Sequence, residues 1–449
     1  MHLLQLEKHK ILLKLKGVIF ILLCFSFLFI LSYFKIHISL QIIVLFLSII
    51  ASLIYLWKTT QLPADNKRLQ YLYKGVSILE VFLITLCVQV PLQVFLIMNT
   101  SFSIYSIPLL FVILLALSLF WIGIILVYTT SIQLGIRWRV IGGLFGWLFP
   151  INIYILLQIR SVCEREIVTE LEKEQTIKGD VSNHKCKTKY PILLVHGIFF
   201  RDISYLNYWG RIPKYLMQHG ATIYYGNQES ARTVEDSAKQ LAIRIDEITK
   251  EYGVEKVNII AHSKAGLDSR YAISNLGVAS KVASLTTINT PHHGCIFANY
   301  LLKKAPNGLV KRITKTYNKI FIKLGDENPD FIHAIQDLTD ERCSELNTVM
   351  KDQENIYYHS ITSYTNKAAS GRFPLNITYP IVKHFDGKND GLVSVESAKY
   401  WDNFTIIDPP AHRGIAHSDM IDLNRENIDG FDIREFYVKL VADLKKKGF

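Results

Sequence analysis

Cysteine is scarce in this chain: there are six in 449 residues, and none stands at CxxC or other metal-ligand spacing. That excludes a disulfide scaffold and gives no sign of a zinc site. No GxGxxG or GxxxxGK[ST] run follows a strand-like stretch, so no nucleotide or redox cofactor is expected. Acidic residues are rare in one part only. Residues 1–165 hold 4 Asp+Glu against 13 Lys+Arg, while residues 166–449 hold 35 against 37. The mean hydropathy of +0.20 therefore averages a greasy basic third and an ordinary globular two-thirds. Most of the net charge of +11 lies between apolar runs, whereas a nucleic-acid partner would need it on one folded face. Half the residues are apolar, which excludes disorder.

What the first third does have is long apolar runs. Residues 17–34, 36–57, 76–98 and 107–128 are each of a length that crosses a hydrocarbon core of about 30 Å at about 1.5 Å per helical residue. A fifth run, 140–159, is interrupted by Gly142, Gly143, Gly146, Pro150 and Asn152. Residues 1–160 thus read as a multi-pass membrane region of about five spans. No small-residue cleavage site follows the first run, so a removable signal peptide is not expected. Lys8, Lys10, Lys14 and Lys16 precede the first run, Lys58, Lys67, Arg68 and Lys74 follow the second, and Arg137 and Arg139 follow the fourth. Positive loops stay inside, so the N-terminus is expected in the cytoplasm. If 140–159 crosses, the rest of the chain lies outside the cytoplasm; if it rests in the interface, the rest stays inside. The run 140–159 is expected to cross, which places the rest of the chain outside the cytoplasm. Glu80 and His37 lie near span ends, which suits an anchor better than a transporter. Cys24 and Cys87 lie within apolar runs and are expected to be buried.

A charged linker, about 161–188, leads into residues 189–449, where short apolar runs alternate with helical patterns. Pro191–Val195, Ala221–Tyr225, Val257–Ala261 and Val282–Ile288 read as strands, with helices over Tyr205–His219 and Thr233–Tyr252. Such alternation predicts a mostly parallel sheet with crossover helices, and ligands bind at the carboxyl ends of its strands. Ser263 stands there, in Ala261-His262-Ser263-Lys264-Ala265, between a strand and a helix running to about Leu276. A sharp strand-to-helix turn exposes such a hydroxyl and requires small residues on both flanks. A nucleophilic serine also needs a carboxylate and a histidine. Asp386 and Asp390 supply two acid candidates, and His412 and His417 supply two bases, all downstream of Ser263. His196-Gly197-Ile198 ends an earlier strand, so the amides of Ile198 and Lys264 are the candidate oxyanion donors. His196 and His262 are expected to be structural hydrogen-bonders, His292-His293 to brace the site, and Phe199-Phe200 to line an acyl pocket or pack in the core. Lys264 is expected to extend its side chain to the surface.

The segments YPILLVHGIFFRD (190–202), VNIIAHSKAGLDSRY (257–271), INTPHHG (288–294), NDGLVS (389–394) and HSDMIDL (417–423) resemble bacterial triacylglycerol lipases. These are α/β hydrolases of the Pseudomonas and Burkholderia true-lipase type, with relatives in Firmicutes. The resemblance covers about residues 188–445 and leaves the membrane region out. It implies an α/β-hydrolase domain with helices on both sheet faces and a helical lid or cap over about 296–350. It also implies Ser263 as nucleophile, Asp390 as acid and His417 as base. The flanks depart from the usual glycines, being Ala261 and Ala265. Many such lipases hold a structural calcium through an aspartate two residues after the base, here Asp419; the second aspartate of that site has no clear match. Within the insertion, Leu309, Val310, Ile313, Tyr317, Ile320, Phe321 and Leu324 recur at helical spacing among lysines, as a lid that meets lipid or a packed cap helix would.

The expected function is a membrane-anchored serine hydrolase, a lipase or esterase acting on lipid-like esters. Its partners would be the ester substrate and the membrane, without nucleic acid and with the oligomeric state open. An acyltransferase or thioesterase would use the same triad, and a membrane sensor would keep the fold with the triad idle.

Overall fold

The computed structural model describes residues 2–179, 184–198, 208–229, 231–304, 306–323, 325–408 and 413–449, with side chains from residue 11 onward except those of 307 and 309. His412, Phe199 and Phe200 lie outside the described residues, as do Leu324 and the Leu309 side chain. The chain divides into two compact units, Met1–Gly179 and Asp180–Phe449.

The first unit is helical: α1 (His2–Tyr33), α2 (Ile38–Thr59), α3 (Lys67–Asn99), α4 (Phe102–Thr130), α5 (Gly135–Phe145) and α6 (Ile151–Gly179). Four stretches, Ile11–Tyr33, Ile38–Thr59, Lys67–Asn99 and Phe102–Thr130, are long and apolar enough to cross a membrane. Their burial pattern is the reverse of a water-soluble bundle. Gln41, Gln89, Gln93 and Ser52 are buried, while Leu23, Leu47, Phe95 and Trp121 are exposed. Apolar side chains facing outward need lipid rather than water around them. Cys87 is among the outward-facing groups and Cys24 is half-buried, so neither is the buried thiol expected from sequence.

Association of apolar helices in lipid depends on close packing, and small residues permit it. Gly75 of α3 and Gly123 of α4 face each other. A Cβ on Gly75 would lie 2.8 Å from Leu126 Cβ, and one on Gly123 would lie 2.6 Å from Leu79 Cγ. Glu80 does not reach water as its sequence position suggested. It is buried and paired with Lys14 of α1 and, at 2.7 Å, with Arg160 of α6.

The run 140–159 is not one helix. It is split into the end of α5 and the start of α6 by the turn at 146–150, where the interrupting glycine and proline stand. Residues 161–179, expected as linker, continue α6. Their charged side chains find partners: Glu166 accepts from Arg68 Nη1 at 2.5 Å, and Glu174 accepts the amides of Asp65 and Asn66.

Among its described residues the second unit contains six strands: β1 (Ile192–Val195), β2 (Ile223–Tyr225), β3 (Val257–His262), β4 (Val282–Ile288), β5 (Tyr357–Ser363) and β6 (Phe404–Ile407). All pair in parallel, in the order β2-β1-β3-β4-β5-β6. The connections are helical: α7 (Ile212–Gln218), α8 (Val234–Glu251), α9 (Ala265–Asn275), α10 (Ile296–Lys304), α11 (Asn307–Lys323), α12 (Phe331–Gln336), α13 (Asp340–Val349), α14 (Leu375–Asp386) and α15 (Val395–Ala398), with α16 (Ile433–Lys446) last. This is the expected α/β class, a parallel sheet with helical connections. Leu193, Val195, Ile259 and Ala261 face a core shared with Leu241 and Ile245 of α8 and Ala272 of α9; their neighbours along each strand point to the other face. The expected cap insertion is present as α10–α13 between β4 and β5. The strand order reverses direction between β1 and β3, and a crevice opens outside the carboxyl ends of such a pair.

The Gly75–Gly123 crossing yields a test. Gly123→Leu should lower the melting temperature of the detergent-solubilised chain by several degrees. Gly143→Leu, where a Cβ meets nothing within 4 Å, should leave it unchanged. Equal melting of both variants would contradict this packing.

Candidate active site

The end of β3 decides the site. His262 finishes the strand, α9 begins at Ala265, and two residues make the reversal. Ser263 takes φ of +60°, a left-handed conformation that costs a non-glycine residue of order 1–3 kcal/mol and persists where surroundings enforce it. Here the surroundings do so through its backbone. Ser263 N donates to Ile288 O at 2.9 Å, and Ser263 O accepts from Thr290 Oγ1 at 2.7 Å and from Gly266 N at 3.1 Å. The close helix–strand approach occurs at Gly266, where a Cβ would collide with the Thr290 side chain. The alanine flanks are therefore accommodated: Ala261 and Ala265 are fully buried in the apolar core.

Gly197, at the end of β1, lies against this turn, and a Cβ there would stand 2.8 Å from Ser263 Cβ. Ile198 follows it. The amides of Ile198 and Lys264 donate to no protein acceptor among the described residues, so two N–H groups beside the serine are free for a ligand oxygen. Ile198 packs its side chain on Phe321 of α11 and Phe331 of α12, which ties the cap to the loop after β1. The flanking histidines are structural. His196 Nδ1 lies 2.9 Å from its neighbouring Gly197 carbonyl, and His262 Nδ1 lies 2.7 Å from the Tyr208 hydroxyl.

Asp390 and His417 meet. His417 Nδ1 is 2.6 Å from Asp390 Oδ2, and His417 N donates to Asp390 O at 2.9 Å. Asp390 is fully buried. Its Oδ1 accepts the amides of Leu392 and Val393 at 2.9 and 2.8 Å, and its Oδ2 also accepts from Asn289 Nδ2. A carboxylate fed by four donors is fixed in orientation. With Nδ1–H committed to it, the His417 ring presents Nε2 as a base. The ring lies 4.4 Å, centroid to centroid, from that of His262, the residue before Ser263. Burial and the neighbouring His417 push the His262 imidazole well below its usual value, so it stays neutral. Ser263 Oγ makes no hydrogen bond among the described residues; such contacts often close only with substrate bound. Asp386, the other acid candidate, instead caps α10 by accepting the amides of Ile296 and Phe297 at 3.2 and 3.3 Å.

Lys264 departs from its expected surface position. Its side chain is 2 % exposed, and its Nζ donates to Asp268 Oδ1 at 2.6 Å, Ser237 Oγ at 3.0 Å and Thr233 O at 3.4 Å. It binds α9 to the start of α8 from beneath the turn. Spacing alone hinted at this, since Lys264 and Asp268 stand four apart on one helix face.

Asp419 is occupied too. Its oxygens accept from Arg413 Nη1 and Nη2 at 2.6 and 3.3 Å and from Ala416 N at 2.8 Å. A guanidinium facing this carboxylate does not fit a calcium site, and no group of three His, Cys, Asp or Glu among the described residues is placed to hold a metal. His292 Nε2 lies 2.9 Å from Thr287 Oγ1, and His293 Nε2 lies 3.0 Å from Lys399 O.

Asn289 is the residue that the sequence reading passed over. It follows β4, takes φ of +49° and bridges Asp390 to Ser363, donating to Ser363 Oγ at 2.8 Å. Its signal was an asparagine directly after a strand predicted to end at the site.

The buried Lys264–Asp268 pair gives a second test. Removing one partner of such a pair costs roughly 3–5 kcal/mol, and replacing both with apolar groups costs far less. Lys264→Met should lower unfolding stability by about that much, and Lys264→Met with Asp268→Leu should recover most of it, by denaturant titration. Burial pushes the Asp268 carboxyl up to about 7. Between about pH 4 and 7 the folded chain then holds a proton that the unfolded chain releases, so this contribution declines as pH rises. Asp268→Asn should flatten that part of the stability profile; an unchanged slope would refute the assignment.

No family model matches the chain. A triacylglycerol lipase of Pseudarthrobacter phenanthrenivorans is 33% identical over 173 residues, covering 36% of this chain and 53% of that protein. One of Burkholderia plantarii is also 33% identical over 173 residues, covering 36% and 48%. The chain thus spans about half the length of these curated relatives. Among solved structures, the mature lipase of Bacillus licheniformis is 21% identical and covers 57% of this chain and 92% of that one, with a TM-score of 0.42. Over a limited segment, then, this chain is similar to bacterial triacylglycerol lipases.

Proposed function

We propose that this protein is a serine hydrolase, a lipase or esterase that cleaves carboxylic esters of lipid-like acyl groups from a membrane anchor. The observation that carries the reading is the left-handed Ser263 at the β3–α9 turn, with the His417–Asp390 pair seated against the end of the same strand. In this reading Ser263 Oγ attacks the ester carbonyl while His417 Nε2 takes its proton. Asp390 fixes the ring tautomer and stabilises the imidazolium, and Asn289 holds Asp390. The amides of Ile198 and Lys264 receive the oxyanion, in a place where no acceptor among the described residues competes for them. His417 returns the proton to the leaving alcohol, and water attacking by the same route frees the acid. The four apolar helices support membrane attachment, and their flanking lysines and arginines support a cytoplasmic N-terminus.

The cap supports a lipid-like substrate. α11 turns Phe321 inward while Lys311, Arg312, Lys315, Lys319, Ile313 and Ile320 are exposed, a basic and apolar outer face suited to a lipid surface. The reaction uses no cofactor, and Arg413 takes the place that a cation would hold beside Asp419.

A fluorophosphonate probe should label the wild-type chain and not Ser263→Ala. Asp390→Asn should lower kcat on a p-nitrophenyl ester by roughly 10³–10⁴-fold, while Asp386→Asn, which keeps a capping oxygen, should hold near wild type. Labelling of Ser263→Ala, or an Asp386 effect as large as that at Asp390, would sink the assignment. Separately, EDTA should leave ester hydrolysis unchanged; a loss restored by calcium would show that Arg413 does not replace the ion.

A further inference from the structure

The side of the membrane on which this domain works is set by α5 and α6. We infer that these two helices form a re-entrant hairpin that dips into the bilayer and returns, leaving the hydrolase domain in the cytoplasm.

Length is the first argument. α5 has 11 residues, or about 16 Å, and the apolar start of α6, Ile151–Ile159, is about 14 Å long. Each is about half of the 30 Å that a crossing requires. The turn between them bears Trp147 and Phe149, which are 77% and 75% exposed, an aromatic tip suited to lipid rather than to water.

The hairpin's base is the second argument. Chain enters α5 through Ser131, Ile132 and Gln133, and those three residues all donate to one carboxylate on the returning helix. Ser131 Oγ reaches Glu166 Oε2 at 2.7 Å, and the amides of Ile132 and Gln133 reach the same carboxylate at 3.1 Å. Arg68, near the start of α3, closes the cluster by donating to Glu166 Oε1 at 2.5 Å and to Thr130 O at 2.7 Å. The outgoing and returning strands of the hairpin thus touch at one level. From Arg160 onward, α6 runs antiparallel to α3. Arg160 meets Glu80, Glu166 meets Arg68, and Glu174 accepts the amides of Asp65 and Asn66 before α3 begins. The helix therefore ends beside the α2–α3 loop, at the end of the bundle that carries Lys58, Lys67, Arg68 and Lys74. The opposite end carries only Lys35 in the α1–α2 loop and no charge in the α3–α4 loop. Positive loops stay in the cytoplasm, and no later helix among the described residues is apolar and long enough to cross.

The expectation of an extracytoplasmic domain is thereby reversed. Resting on the hydrolase reading, the substrate class becomes acyl esters presented by the cytoplasmic leaflet or the cytosol, and the exposed lysines of α11 suit the anionic lipid of that leaflet.

The test is thiol labelling of the full chain in intact cells with a membrane-impermeant maleimide, in a Cys87→Ser background, since the other five thiols are buried or half-buried. Ser101→Cys, in the α3–α4 loop, should label in intact cells. Lys250→Cys, exposed at the end of α8, should label only after permeabilisation. Labelling of Lys250→Cys in intact cells, or of Ser101→Cys only after permeabilisation, overturns the inference. A failure of Ser263 to react with the fluorophosphonate would count against the hydrolase reading without altering this labelling pattern.

Discussion

The backbone of Ser263 is held in a conformation that serine does not favour, and much of the second unit is arranged to hold it there. The hydrogen bonds from Ser263 N to Ile288 and from Thr290 to Ser263 O tie the turn to the end of β4. Gly266 lets α9 press against Thr290. From below, the buried Lys264 binds the first turn of α9 to α8 through Asp268 and Ser237. Strain of order 1–3 kcal/mol is spread across contacts with three neighbouring elements. The outcome is a left-handed serine at the end of β3, next to two amides that donate to no acceptor among the described residues.

Asp390 and His417 depend on a different device. The segments carrying Asp390 and His417 lie far from β3 in sequence, and irregular backbone is mobile unless tied. Asn289, at the end of β4, fixes Asp390 to the sheet. Arg413 and Asp419 tie the two ends of the turn that presents His417, and Arg413 also meets Glu426 at 3.3 Å. A guanidinium does this with directed hydrogen bonds where a bound cation would do it with coordination. The loop therefore carries its own positive charge.

In the first unit, the opposing constraint is the cost of charge in lipid. Glu80 and Glu166 are each buried and each paired, the first with Lys14 and Arg160, the second with Arg68 and the chain at 131–133. Both lie near the end of the bundle bearing the positive loops. The same pairs that neutralise these carboxylates hold α6 along α3, so solvation of two charges and the course of the hairpin are one arrangement.

Much of this was readable in the chain. Apolar runs of about 20 residues favour one form, the helix, so four helices apolar and long enough to cross a membrane followed from composition. Alternating short strands and helices implied the parallel sheet, and Ser263, Asp390 and His417 were selectable by order and local pattern, since each stands in a motif with its own backbone requirement. What sequence could not decide was which long-range partner each polar group would find. Lys264 looks like any surface lysine until Asp268 and Ser237 close over it, and Asn289 has no special mark until β4 places it beside Asp390. Asp386 and Asp390, four apart, differ only in what the fold sets opposite them. The run 140–159 is apolar enough to suggest a span, yet its glycines and Pro150 let it turn. The contact between Glu166 and residues 131–133, more than thirty positions apart, is made only in the folded bundle. Composition determines which helices are apolar and long enough to enter lipid; pairing between distant charges determines which helices lie side by side.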